Sequence, residues 1–161
     1  MDNNTIERIV AEVVSGVKGE AGVGSITLEQ AKRLAREVEK KASQMGVKAV
    51  VAVSNTAARP VLVECMDDSY IASYDVAFNK AYTVVALKMS TIALKDLAQP
   101  GQSLYGIQFT NGGKIVIFGG GVALKNHDGK VVGGVGVSGG SEAEDTILGD
   151  FANKVFMEEI L

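Results

Sequence analysis

Among its 161 residues the chain has one histidine, one cysteine and two prolines, and no excess of basic over acidic side chains. Each shortage excludes something. With His127 as the only imidazole, no triad in which a second histidine orients the first, no multi-histidine zinc site and no HExxH motif can be assembled. Cys65 cannot form an internal disulfide, and no charged segment followed by an apolar one opens the sequence, which together point to the cytoplasm. Lys and Arg total 16 against 19 Asp and Glu, giving net charge −3 and a pI near 5.2, so nucleic acid is not an expected partner. Apolar runs such as Val50 to Val53 are far too short to cross a bilayer, so no membrane partner is expected either.

What remains is a globular composition, 47% hydrophobic and 22% charged, which is too apolar for a disordered chain and large enough for one self-supporting domain. Residues 1–18 hold an amphipathic helix in which Ile6, Ile9, Val10, Val13, Val14 and Val17 fall at helical spacing. Residues 19–25 are a Gly-rich linker, and residues 26–161 form the domain proper. Thr27 with Gln30 predicts a capping box opening a helix that Gly46 ends, with Leu28, Ala31, Ala35, Val38, Ala42 and Met45 as its apolar stripe. Val47 to Val53 and Val61 to Cys65 read as an antiparallel pair of strands. Asp67, Asp68 and Ser69 offer caps for a long helix from Tyr70 to about Met89, and Ser90 opens a shorter one that Pro100-Gly101 stops.

Lys114 to Phe118 and Val122 to Leu124 read as strand around a Gly119-Gly120-Gly121 interruption. Asn126-His127-Asp128-Gly129 then turns the chain into Val131 to Val137. Ser141 with Glu144 is a second capping box, opening a terminal helix with Leu148, Phe151, Ala152, Val155 and Phe156 on one face. Two hairpins separated by helices imply an α+β fold: an antiparallel sheet with helices on one side.

Gly134, Gly136 and Gly139 match G-x-G-x-x-G between a strand and a helix, but the chain ends within that helix, before the further parallel strand and acidic residue of a dinucleotide site. What survives is local. Ser138, Gly139, Gly140 and Ser141 place backbone N–H groups without bulky side chains at a helix start, a setting that favours a carboxylate or phosphate; a tight turn needing glycine is the plainer reading. His127 reads as a turn residue with haem iron as its one candidate metal, and Cys65 reads as a small core side chain.

The Thr27-Leu-Glu-Gln-Ala31 helix start, Asn79-Lys80-Ala81, Pro100-Gly101, Gly119-Gly120-Gly121-Val122 and the run from Asp128 through Gly139, with Asp145 six residues on, resemble the GlcG/HbpS-like haem-binding family. That family includes the domain fused behind PduO-type cobalamin adenosyltransferases. The resemblance implies a profilin-like or PAS-like antiparallel sheet with helices packed on it, a homo-oligomer, and haem as cofactor. It does not imply adenosyltransferase activity, which belongs to a separate preceding domain. Some members hold haem through a histidine near the start of the first core helix, whereas Thr27 to Arg36 contains none. Residues 1–25 resemble the peptides that direct enzymes into bacterial microcompartments; an oligomer-interface helix is the alternative.

The chain therefore reads as a small-ligand module for haem, or a related tetrapyrrole or corrinoid, ahead of an enzyme acting on haem or a small oxidised substrate, or an oligomeric scaffold with a vestigial pocket. An accessory role in cobalamin-dependent diol or glycerol metabolism follows from the resemblance, as does a shell or enzyme partner engaged through residues 5–18. A haem pocket needs cationic or N–H groups beside an apolar wall. Lys80 with Ser138, Gly139, Gly140 and Ser141 are the candidates for the first, and Tyr74, Phe78, Tyr82 and Met89 for the wall or an iron ligand.

Overall fold

The computed structural model describes residues 24–161, so the helix and most of the linker expected in residues 1–23 lie outside the described residues. Helix α1 (Leu28–Gln44) opens on the expected capping box: Thr27 Oγ1 accepts from the Gln30 N–H, and Gln30 Oε1 accepts from the Thr27 N–H. A cap of this kind stabilises a helix by about 0.5–2 kcal/mol. Ala31, Leu34, Ala35, Val38 and Ala42 form the buried stripe, while Leu28 stays exposed.

Strands β1 (Val50–Ser54) and β2 (Pro60–Cys65) form the first hairpin, followed by helices α2 (Ile71–Leu87) and α3 (Thr91–Leu97). After a loop, strands β3 (Gly121–Lys125) and β4 (Val131–Ser138) form the second hairpin, and helix α4 (Glu142–Val155) runs into one wider turn over Phe156–Ile160. The sheet order is β2-β1-β4-β3, with every neighbouring pair antiparallel. This is the expected α+β class, and it leaves the G-x-G-x-x-G match without the parallel unit a dinucleotide site requires.

Helices cover both faces of the sheet, not one. Successive side chains of a strand point to opposite sides, so Val51, Val53, Val135 and Val137 pack toward α1 and α4, while Val50 and Ala52 pack on Ala77 and Ala81 of α2. On that second face β4 presents Gly134 and Gly136, which bring its backbone against α2. The sequence conceals this face because glycine carries no apolar signal.

Three local expectations are corrected. Lys114 to Phe118 is not a strand, because the Val116 N–H donates to Thr83 Oγ1 at 3.0 Å and that segment is held by a side chain of α2 in place of a strand partner. Asp67, Asp68 and Ser69 do not cap α2: Tyr70 occupies the cap position and no side chain accepts there, while Asp68 takes a left-handed turn conformation with φ 65°. Cys65 is exposed, since β2 is an edge strand and Cys65 is its last residue.

Candidate functional site

The structure sorts the candidate residues into four places. The first is the turn from Ser138 to Ser141, which joins β4 to α4 and whose Gly139, Gly140 and Ser141 line a concavity of about 470 Å3 with Gly46, Val47, Lys48, Asp68, Tyr70 and Glu144. The expected N–H donors are there, and the chain's own carboxylates have taken them. Gly140 N–H donates to Asp145 Oδ1 at 3.0 Å, and Ser141 N–H and hydroxyl both donate to Glu144 Oε2 at 2.8 Å. Those bonds hold the Glu144 carboxyl below the usual carboxylate range, the Ser141 N–H first among them. Ser138 lies just outside the concavity, buried, with its hydroxyl on Ser73 Oγ at 3.2 Å. Lys48 is the one cation lining this concavity.

Gly139 is required by chain packing. A Cβ there would stand 2.3 Å from the Lys48 carbonyl oxygen and 2.8 Å from Ala49 Cα, both backbone atoms that cannot swing aside. Its lack of a side chain lets the end of β4 lie on the segment entering β1.

Lys80 occupies the second place, in the interior. Its side chain is fully buried, and Nζ donates to Asp145 Oδ2 at 2.8 Å and to the Val137 carbonyl at 2.7 Å, 5.0 Å from the centre of the Phe118 ring. Burial pushes the lysine below its ordinary value against the opposing pull of Asp145, and burial raises Asp145 against the pull of Lys80 and of the Gly140 and Gly139 N–H groups. The pair ties α2, β4 and α4 together beneath Gly120. It offers no open face to a ligand.

The third place is the outer face of α2. Tyr74 and Phe78, one turn apart, stack with ring centres 6.4 Å apart and planes 6° from parallel. Tyr82 continues the stripe; its hydroxyl accepts from Asn111 Nδ2 at 3.2 Å, and Lys114 Nζ stands 5.6 Å from its ring centre. Toward the helix start the same spacing reaches Tyr70, 73% exposed, and beside it Ile71, 97% exposed. Neither was among the sequence candidates, although the four-residue step from Tyr82 back through Phe78 and Tyr74 leads directly to Tyr70. Through Tyr70 this wall adjoins the concavity of Lys48 and Ser141. There the apolar wall and phenol oxygens of the candidate residues adjoin a lysine, Lys48, that was not among them.

Met89 and His127 belong to the opposite end of the molecule. Met89 is half-buried just past the end of α2, and His127 is exposed in the β3–β4 turn. Along β4 the seven steps from Val131 to Ser138, at about 3.3 Å each, put roughly 23 Å between that end and the Ser138 turn. His127 therefore cannot share one ligand with Gly139 to Ser141 within a single chain. Among the described residues no group of three His, Cys, Asp or Glu could hold a metal ion, and no helix is long and apolar enough to cross a membrane.

A family model described as haem degrading protein HbpS-like matches residues 26–152. An uncharacterized 15.0 kDa protein from the dhaT-dhaS intergenic region of Citrobacter freundii is 43% identical over 136 residues, which are 84% of this chain and 95% of that protein. The corrinoid adenosyltransferase PduO of Salmonella typhimurium is 40% identical over 113 residues, 70% of this chain but only 33% of PduO. The solved structure of a PduOC–haem complex aligns with a TM-score of 0.77 at 35% identity, covering 81% of this chain and 94% of the other.

Proposed function

The chain belongs to the HbpS-like family, and from that premise we propose that it is a haem-binding module whose porphyrin lies on the exposed wall at the start of α2. The observation carrying this reading is that PduOC, 35% identical over most of both chains, forms a haem complex. The residues of this chain fit such a group. Tyr70, Ile71, Tyr74 and Phe78 supply a flat apolar face, the Tyr70 and Tyr74 phenols supply oxygen ligands for iron, and Lys48 supplies a cation for a propionate. Haem, once bound, would contribute its iron and redox chemistry; the residues of this chain orient and shield it.

Haemin titrated into the protein is expected to shift the Soret band at micromolar concentrations. Tyr74→Ala removes part of the wall and should weaken binding at least tenfold, from the roughly 1.5–3 kcal/mol that a buried aromatic side chain contributes. Tyr74→Phe keeps the wall and removes one phenol, so a changed visible spectrum with retained affinity would identify Tyr74 as a ligand. His127→Ala is the rival arm: loss of the spectrum there would move the iron to the β3–β4 turn and defeat the placement. No Soret shift in folded protein at tens of micromolar would defeat haem binding itself.

The proposal includes a homo-oligomer and an accessory role in cobalamin-dependent diol or glycerol metabolism, inside a microcompartment reached through residues 1–18. The kinship with PduO supports the second part, and the Ile/Val stripe of residues 5–18 supports the third. Since the family match begins at Ile26, deleting residues 1–24 should leave the assembly unchanged in sedimentation. Monomers after that deletion would make the segment an interface element instead.

A further inference from the structure

The end of the molecule that the haem reading leaves unused gathers three lysines around one concavity. Lys88, Lys125 and Lys130, with Gly129 and Val131, line a cavity of about 460 Å3 between the end of α2 and the β3–β4 hairpin. No carboxylate is among the lining residues, and among the described residues the ion pairs engage Lys40, Lys80 and Lys95 and none of these three. In a chain of net charge −3, this places three cations on one small concavity with no carboxylate in its lining, Asp128 of the adjoining turn being the neighbouring acidic residue in sequence. We propose that this cavity binds a ligand carrying at least two phosphate groups, such as a polyphosphate or the diphosphate of a larger molecule.

Two backbone departures place these charges. Lys88 caps the C-terminus of α2 in the left-handed region, φ 56° and ψ 31°, a position that glycine occupies with least strain. A lysine there gives up that ease and aims its side chain at the cavity. Lys125 is the last residue of β3, opposite Val131 across a register shift that leaves an extra residue on β4. Such a bulge re-aims the adjacent side chain, here onto the same concavity. Lys130 follows Gly129, whose φ of +75° the tight turn requires. Lysine is a compact point charge on a flexible stem, suited to scattered phosphoryl oxygens more than to one planar carboxylate. Three of them match a polyanion better than a single anion, and the Gly129–Val131 edge leaves room for an organic group beyond the phosphates.

The Lys88 geometry supplies a test that unfolding cannot confuse. Lys88→Gly removes a charge and relieves a strained backbone, so melting should be unchanged or higher. Calorimetric titration of inorganic pyrophosphate into the full chain at low ionic strength should show binding that Lys88→Gly weakens at least fivefold. Lys125→Gln with Lys130→Gln should weaken it at least tenfold. Lys40→Gln makes the same change in net charge elsewhere and should leave binding unaltered. A nucleoside diphosphate that binds more tightly than pyrophosphate would assign the open edge to a nucleoside, and equal affinity would assign the cavity to the phosphates alone. Binding unaffected by Lys88→Gly, an equal response to Lys40→Gln, or no heat with pyrophosphate would each overturn the proposal. The inference does not rest on haem: Tyr74→Ala should leave pyrophosphate binding intact, and Lys88→Gly should leave the haemin spectrum intact.

Discussion

Lys80→Met is expected to destabilise the protein by about 3–5 kcal/mol, because removing one partner of a buried ion pair leaves the other charge without compensation. Asp145 is 3% exposed, and with Lys80 gone it keeps only backbone N–H donors. Asp145→Asn should cost a similar amount by stranding the ammonium beside the Val137 carbonyl. The double variant Lys80→Met, Asp145→Asn buries no charge and keeps an acceptor for the Gly140 N–H. It should recover about 2 kcal/mol or more of the single losses, read from urea midpoints. Single variants within about 1 kcal/mol of the wild type would show the pair to be hydrated or dispensable.

The pH dependence separates the two halves. Burial raises the folded-state value of Asp145, so what it contributes is present below its unfolded value and is lost as pH rises through the folded one. Burial lowers that of Lys80, whose contribution is present above its unfolded value and is lost as pH falls through the folded one. With its partner removed, each group shifts further in its own direction. Lys80→Met should therefore gain stability on acidification from neutrality toward the carboxylate range, and Asp145→Asn on alkalisation toward the lysine range. Parallel slopes in the two variants would contradict the assignment of burial as the dominant cause.

Much of this arrangement was legible in the residue order, and the parts that were not share a cause. The capping boxes at Thr27 and Ser141 mark the starts of α1 and α4 because their chemistry is local: hydroxyl, amide and carboxylate lie within three residues. The Asn126 turn is local in the same way, with Asn126 Oδ1 accepting from the Asp128 and Lys130 N–H groups. Lys114 to Phe118 misleads because the Val116 N–H donates to the hydroxyl of Thr83, 33 residues away, and not to a strand partner. The Ser138 turn has the donors its sequence promises, but that Glu144 and Asp145 fold back to occupy them depends on where α4 points. Lys80 reads as a ligand cation until Asp145, 65 residues on, is placed beside it. The lysine cavity was invisible for that reason too, since Lys88 meets Lys125 and Lys130 only once α2 runs the length of β4.

Gly136→Ala should be at least as damaging as the Lys80 change, because a methyl group there has nowhere to go. An added Cβ would lie 2.1 Å from the Ala77 carbonyl oxygen and 2.7 Å from the Ala81 nitrogen, both in the backbone of α2, with Lys80 Cβ also at 2.7 Å. Overpacking usually costs about 1–3 kcal/mol when side chains can adjust. Here the obstacle is a helix backbone that also packs against Val50 and Ala52, so relief requires moving α2 as a body and disturbing the Lys80–Asp145 pair beneath it. A loss above about 3 kcal/mol is expected, with the wall proposed for haemin displaced because Tyr74 and Phe78 ride on the same helix. Gly140→Ala is the matched control. Its added Cβ would meet the Glu144 side chain, at 2.8 Å from Oε2, which can rotate at the expense of the Ser141 capping bonds, and at 2.9 Å from Cβ, which requires a small shift of the first turn of α4 and no movement of α2. That variant should lose about 1–2 kcal/mol, the scale of a weakened helix cap. If Gly136→Ala melts within a few degrees of Gly140→Ala, α2 is not seated on the glycine face of β4, and the position assigned to its aromatic stripe fails with it.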